Sequence, residues 1–202
     1  MVFAADNGNG QERDWHGYTK DKIPQNIIGQ SEVAPFKFIW NTSMLAAQTH
    51  VKVMAEIHFK NATDISYVTP YFEGLQIPVR PNLRVDRFLS HDMPAPFWSR
   101  ANRLKTCTIF ADVVPKKIQR AELHVIIWDG GEGQVKDHFK FNGKALPLAS
   151  GNHRHDVIYR VFEIDPSLIK VGENTIELLS DTEDHGIEVL LPGPALIVRT
   201  IR

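Results

Sequence analysis

The sequence predicts an all-β protein: an antiparallel β-sandwich of jelly-roll type in the C-terminal half, with an additional N-terminal β region. Two observations carry this expectation. Apolar residues recur at every second position in run after run, which is the period of a strand with one buried face. Turn-forming residues punctuate those runs, and no stretch keeps a helical period over three turns.

Val51, Val53, Ala55, Ile57 and Phe59 alternate with Lys52, Met54, Glu56 and His58, which reads as one strand with a buried and a wetter face. Cys107, Ile109, Ala111 and Val113 repeat the pattern, and so do Leu123, Val125 and Ile127. Further rows are Val157, Tyr159 and Val161, then Ile187, Val189 and Leu191. The C-terminal core is therefore expected to hold Leu123, Val125, Ile127, Val157, Val161, Ile176 and Leu178. Asn142-Gly143 follows Phe139 and Phe141, and this dipeptide accepts positive φ at both centres of a tight hairpin. Asp165-Pro166-Ser167 opens a short helical turn with Pro at its first position, and Gly172 is placed to end it. Pro192 and Pro194 bracket Gly193 and confine that segment to an edge or a bulge.

These signals divide the chain into three parts. Residues 1–32 are polar and aperiodic and read as a leader or arm, with Trp15 and Tyr18 as anchors. Residues 33–95 form an N-terminal β region, either extra strands of the same sandwich or a small immunoglobulin-like unit. Residues 96–202 form the sandwich, after a seam where His91-Asp92-Met93-Pro94-Ala95-Pro96 cannot continue a ladder.

Composition narrows the partners. Net charge is −1, so no basic surplus exists to neutralise a phosphate backbone, and nucleic acid is not expected. No apolar run approaches the about 20 residues that a membrane-spanning helix needs. The single cysteine, Cys107, rules out an intrachain disulfide, and its place in an apolar row predicts a buried, inert thiol. Met1-Val2-Phe3-Ala4-Ala5-Asp6 resembles the small-residue end of a signal peptide, which implies a secreted or periplasmic protein. The same residues also read as a plain leader.

Phe141-Asn142-Gly143-Lys144, followed by Asp165-Pro166-Ser167-Leu168-Ile169-Lys170-Val171-Gly172-Glu173-Asn174-Thr175-Ile176, resembles the galactose-binding-like jelly-roll sandwiches appended to many glycoside hydrolases. The resemblance covers roughly residues 105–202. It implies a carbohydrate-binding domain, and in sandwiches of this kind a structural calcium is common. Asp129-Gly130-Gly131-Glu132 and Asp181 with Glu183 and Asp184 are oxygen-bearing turns suited to that ion, although no twelve-residue calcium loop is present.

Sugar recognition needs flat aromatic faces for the apolar side of a pyranose and planar polar groups for its hydroxyls. Trp128 stands at opposite parity to Leu123, Val125 and Ile127 and precedes Asp129, so it is expected to face outward at a strand end. Ile126 shares its parity, so a strand buried on both faces is the competing reading. Trp98 reads either as part of the binding surface or as a plug closing one end of the sandwich, and Tyr71 is a further aromatic candidate. His153-Arg154-His155-Asp156 sets two imidazoles at i and i+2, on one side of an extended segment. These groups suit sugar hydroxyls, or a copper or zinc ion if Asp181, Glu183, His138 or His185 supplies further ligands. The loops holding Trp128-Asp129, His153 to Asp156 and Asp181 to His185 are expected to gather at one end of the sandwich.

The function expected from these residues is non-catalytic binding of a polysaccharide by a β-sandwich protein, through Trp98, Trp128, Asp129, His153, His155, Asp156, Asp181 and His185. The alternative is a glycan-active or histidine-metal-dependent enzyme on the same scaffold. Glu56, Glu73, Asp129, Glu183 and Glu188 offer carboxylates for a glycosidase pair, yet their spacing singles out no two of them. No nucleophile elbow, phosphate loop or dinucleotide fingerprint is present. A purely structural assembly domain is the third reading.

Overall fold

The computed structural model describes residues 19–20, 23–24, 28–131, 133–148 and 157–202. It is nearly all β, with 47% strand and 4% helix, and its sheets are antiparallel. In chain order the strands are β1 (Thr19–Lys20), β2 (Ile23–Pro24), β3 (Gln48–Val53), β4 (Glu56–Phe59), β5 (Ala62–Val68), β6 (Phe72–Ile77), β7 (Leu83–Leu89) and β8 (Phe97–Trp98). They continue as β9 (Lys105–Ala111), β10 (Ile118–Trp128), β11 (Phe139–Phe141), β12 (Lys144–Ala145), β13 (Val157–Ile164), β14 (Gly172–Leu178), β15 (Glu188–Val189) and β16 (Ala195–Ile201).

The N-terminal strands make small two-stranded sheets: β1 with β2, β3 with β6, and β4 with β5. The single strand expected over residues 51–59 is therefore two, each with its own partner. The break falls at Ala55, whose N–H donates to Thr69 Oγ1 and whose carbonyl accepts from the Thr69 N–H, each at 3.0 Å. Ile57 and Phe59, read as the buried row, are 43% and 47% exposed. A lone hairpin has no second layer to cover either face.

β7 to β16 build the sandwich. One sheet runs β7-β16-β10-β15-β8, with β13 on the other edge of β10, and the second runs β12-β11-β14-β9. β7 precedes the division expected at residues 95/96, and it pairs along its whole length with β16, from Leu83–Ile201 to Leu89–Ala195.

The register shows how the first sheet is made. Glu188 and Val189 pair with Trp128 and Ile127, the Leu190 N–H donates to the Ile126 carbonyl, and pairing resumes at Ala195 opposite His124. β15 and β16 are thus one strand interrupted by residues 191–194, which leave the ladder opposite Val125. β7 and β8 are interrupted at the same level, because Leu89 lies opposite Ala195 and Phe97 opposite Val189. The two insertions pack on each other: a Cβ on Gly193 would lie 2.5 Å from Ser90 Oγ and 2.6 Å from Met93 Sδ. Gly193 also has φ of +89°, so glycine is required there twice over.

The core lies between the sheets. Leu123, Ile127, Ile158, Leu196 and Phe97 face Cys107, Ile109, Phe139, Ile176 and Leu178, all at most 1% exposed. Of the seven expected core residues, Leu123, Val125, Ile127, Ile176 and Leu178 are buried. Val161 is 47% exposed and Val157 is only half-buried. β13 carries two apolar rows, and pairing of Ile158 with Ile127 and Phe162 with Leu123 turns the other row inward. Burial pushes the Cys107 thiol up to about 12, which keeps it protonated and unreactive.

Residues 141–144 and 165–176 form one hydrogen-bonded polar knot around the buried Asn174. Asn142 and Gly143 have φ of +49° and +80°, the expected tight hairpin. The Asn142 Nδ2 donates to the Leu168 carbonyl and to Asn174 Oδ1, while Asn142 Oδ1 accepts from the Thr175 N–H. Asn174, fully buried, accepts from the Lys170 N–H and donates to the Lys170 and Gly172 carbonyls. The turn between them is capped by Asp165, whose Oδ1 accepts from the Ser167 N–H. These residues hold the hairpin of β11 and β12 to the entry of β14.

The corrected facing of β13 can be checked by melting two variants. Ile127→Ala should cost about 2–5 kcal/mol through the cavity it leaves. Val161→Ala should change stability by no more than about 0.5 kcal/mol, as expected of a surface position. Equal losses in both would contradict the register.

Candidate functional site

The register that buries Phe97, Ile127, Ile158 and Val189 sends their chain neighbours to the opposite face. Trp128 pairs with Val157 on one side and Glu188 on the other, and Glu188 pairs with Trp98. Val157, Trp128, Glu188 and Trp98 therefore form one row across four strands at the end of the sheet, each half-buried. With neighbouring strands about 4.8 Å apart, the two tryptophan backbones stand about 10 Å from each other with a carboxylate between them. Trp128 thus faces outward, as expected from its parity, while Ile126 on the same face is 3% exposed. At Phe97-Trp98 the plug is Phe97, at 1%, and Trp98 is the outward residue.

Three loops surround this row. Ser99, fully buried, donates from Oγ to the Arg103 carbonyl at 2.8 Å and accepts from the Ser180 N–H at 2.7 Å. The Ala101 N–H donates to the Thr182 carbonyl and the Asn102 N–H to the Ser180 carbonyl, at 2.8 and 2.9 Å. Ala101 and Asn102 have φ of +48° and +59°, which closes the turn from Arg100 to Arg103 over the 180–182 loop. The third loop follows Trp128: a Cβ on Gly130 would lie 2.4 Å from both the His185 carbonyl oxygen and the Trp128 ring. Asp181 ties this loop down, since its Oδ1 accepts from the Gln134 N–H at 2.8 Å.

Trp98, Trp128, Asp129, Asp181 and His185 thus come together at one end of the sandwich. The His185 ring lies 6.0 Å from the Trp128 ring, tilted by 37°. Asp129 is fully buried and Asp181 clamps a turn, so both support the loops more than they present a polar surface. His153, His155 and Asp156 lie outside the described residues; Val157, next in the chain, is level with Trp128. Tyr71 belongs to the N-terminal strands, where the Lys52 ammonium sits 5.7 Å above its ring. Among the described residues no three His, Cys, Asp or Glu side chains gather closely enough to hold a metal ion.

Two residues outside the expected binding set, Glu188 within the row and Arg100 beside it, complete the candidate site. Arg100 lays its guanidinium over the Trp98 ring, 4.3 Å from the centroid, and covers one indole face. Glu188 was legible only as one carboxylate among several, because its position between two tryptophans depends on pairing across strands. Burial pushes the Glu188 carboxyl above its usual range, and nearby Arg100 only partly offsets this. Trp98, Arg100, Ala101, Arg103, Lys105 and Glu183 line a groove of about 300 Å³ beside the row.

No protein-family model and no curated protein matches the chain. Among solved structures it is similar to a β-porphyranase of glycoside hydrolase family 86 from the human gut bacterium Bacteroides plebeius, at 15% identity and a TM-score of 0.45. That match covers 80% of this chain and 31% of the other. A second similar structure is a protein bearing the same family number, solved in complex with neoagarooctaose, at 14% identity and a TM-score of 0.42. It is matched over 78% of this chain and 28% of its own. The chain spans less than a third of the length of either.

Further along the outer face of β10 lies a second polar group. The His124 Nδ1 meets the Tyr159 hydroxyl, and its Nε2 lies 3.1 Å from Glu122 Oε2. The Arg120 guanidinium holds the other Glu122 oxygen at 3.0 Å. His124 and then Arg120 hold the Glu122 carboxyl below its usual range despite burial.

Glu188 gives a stability prediction whose sign follows from its raised value. A carboxyl raised on folding contributes fully at acid pH, and that contribution is lost as pH rises through its folded value. Glu188→Gln should therefore raise the melting temperature at neutral pH by about 1 °C, after allowance for solvent screening, and change it little near pH 4. A lower melting temperature at neutral pH would show that the Arg100 attraction outweighs burial.

Proposed function

We propose that this chain binds a polysaccharide through the outward row at the end of its sandwich and does not cut it. The observation that carries the reading is the pairing Trp128–Glu188–Trp98, which sets two indoles on one sheet face with a carboxylate between them. An indole half in water on a rigid strand gives a sugar ring an apolar surface at small entropic cost, and a carboxylate beside it accepts from hydroxyls. Trp128, with His185 beside it, is the stacking residue. Trp98, one face of which Arg100 occupies, holds that arginine in place and borders the bound chain. His153, His155 and Asp156 belong to the same proposal, as does export of the protein. The resemblance at residues 141–176 to galactose-binding-like sandwiches supports the same reading.

The Tyr159–His124–Glu122 chain favours a second reading. A phenol hydrogen-bonded to an imidazole that a carboxylate orients is an arrangement suited to proton transfer, which would make the outer face of β10 an active surface.

One experiment separates the two. In affinity electrophoresis through gels of different polysaccharides, the wild-type chain should be retarded by at least one glycan. Trp128→Ala should lose the retardation while keeping a cooperative melting transition above the temperature of the assay, its midpoint lowered by the lost packing on Gly130 and His185. The same mixtures should release no reducing ends. Retardation that survives Trp128→Ala would overturn the site, and release of reducing ends that Tyr159→Phe abolishes would establish the enzymatic reading.

A further inference from the structure

The groove beside Trp98 carries more positive charge than sugar hydroxyls require. Arg100, Arg103 and Lys105 line it against a single carboxylate, Glu183, in a chain whose overall net charge is −1. None of the three cations has a carboxylate within 4.0 Å among the described residues, although Arg100 attracts Glu188 at longer range. Arg100 is also oriented in advance. Its guanidinium carbon lies over the Trp98 ring, 4.3 Å from the centroid, and its Nε is buried without a hydrogen-bond partner. A guanidinium fixed by stacking loses little freedom when its remaining N–H groups bind, and its planar fork matches the paired oxygens of a carboxylate or a sulfate. The tight turn at Ala101-Asn102 places Arg103 on the same rim, and Lys105 begins β9 just beyond.

We propose that this groove takes an acidic substituent, a sulfate ester or a uronate carboxylate, of the glycan that packs on Trp128. The inference rests on the carbohydrate-binding reading and deepens it: the ligand is an anionic polysaccharide, and the cations beside Trp98 select it over a neutral one. Specificity of this kind comes from complementary charge at the rim, so binding should weaken as salt rises.

The test is retardation in gels of agarose as the neutral galactan, κ-carrageenan as the sulfated galactan and alginate as the polyuronate. The wild type should be retarded by κ-carrageenan or alginate and not by agarose; which of the two retards it identifies sulfate or carboxylate. Arg103→Gln with Lys105→Gln should weaken that retardation at least about fivefold, as expected for two rim charges. Lys116→Gln with Lys117→Gln, which removes the same charge at the far end of β10, should leave it unchanged. Melting curves of both double variants, whose changes lie near the surface, check the fold. Equal retardation by agarose, or equal loss in the two double variants, overturns the anionic preference and leaves the glycan reading standing. Retardation by none of the three overturns the anionic preference, and retardation by no polysaccharide at all overturns the glycan reading as well.

Discussion

The candidate site depends on two residues, Glu188 and Val189, which bridge β10 to β8. Val189, 2% exposed, sits between Ile127 and Phe97 in the core, and that burial fixes the register. A strand slipped by one residue would turn Val189 to solvent and Glu188 into the core, at a cost of several kcal/mol for an unpaired carboxylate. The apolar row on one face therefore dictates the Trp98–Glu188–Trp128 row on the other. The insertions at residues 90–96 and 191–194 make the bridge compatible with the longer pairing of β7 and β16. Gly193 beneath Met93, and Ser99 against Ser180, lock those insertions and loops in place.

Two glutamates on this sheet show how context sets charge. Glu122, held by His124 and Arg120, is stabilised as a carboxylate, so its contribution to stability is present near neutral pH and is lost as pH falls through its folded value. Glu188 has its cation at longer range, and burial prevails, so it holds its proton more tightly than an exposed glutamate does. A half-buried carboxyl of that kind, between two indoles, can either donate to or accept from a hydroxyl as pH changes.

What the sequence shows well is local. The Asn142-Gly143 hairpin, the Asp165 cap and the buried alternation of Cys107 to Val113 depend on residues within a few positions, and all are present. The outward facing of Trp128 follows from the same parity argument. What the sequence hides is pairing. The row Ile187, Val189 and Leu191 ends at Val189, because the inserted residues reset the parity and leave Leu191 56% exposed. β13 holds two apolar rows, and only its pairing with β10 decides which turns inward. The same holds at the site: Trp98 and Trp128 were legible as aromatic candidates, but their common face is set by β15, and the stacking of Arg100 on Trp98 follows from a turn with positive φ at alanine.

The central claim is that this outward row is the binding surface, and the indole N–H resonances report on it directly. The chain has four tryptophans, Trp15, Trp40, Trp98 and Trp128, whose indole signals single substitutions assign. Titration with an oligosaccharide cut from the anionic polysaccharide that retards the chain should shift the Trp98 and Trp128 signals together, along one saturating curve, and leave those of Trp15 and Trp40 in place. Shifts confined to Trp15 or Trp40 while Trp98 and Trp128 stay unmoved would contradict the account.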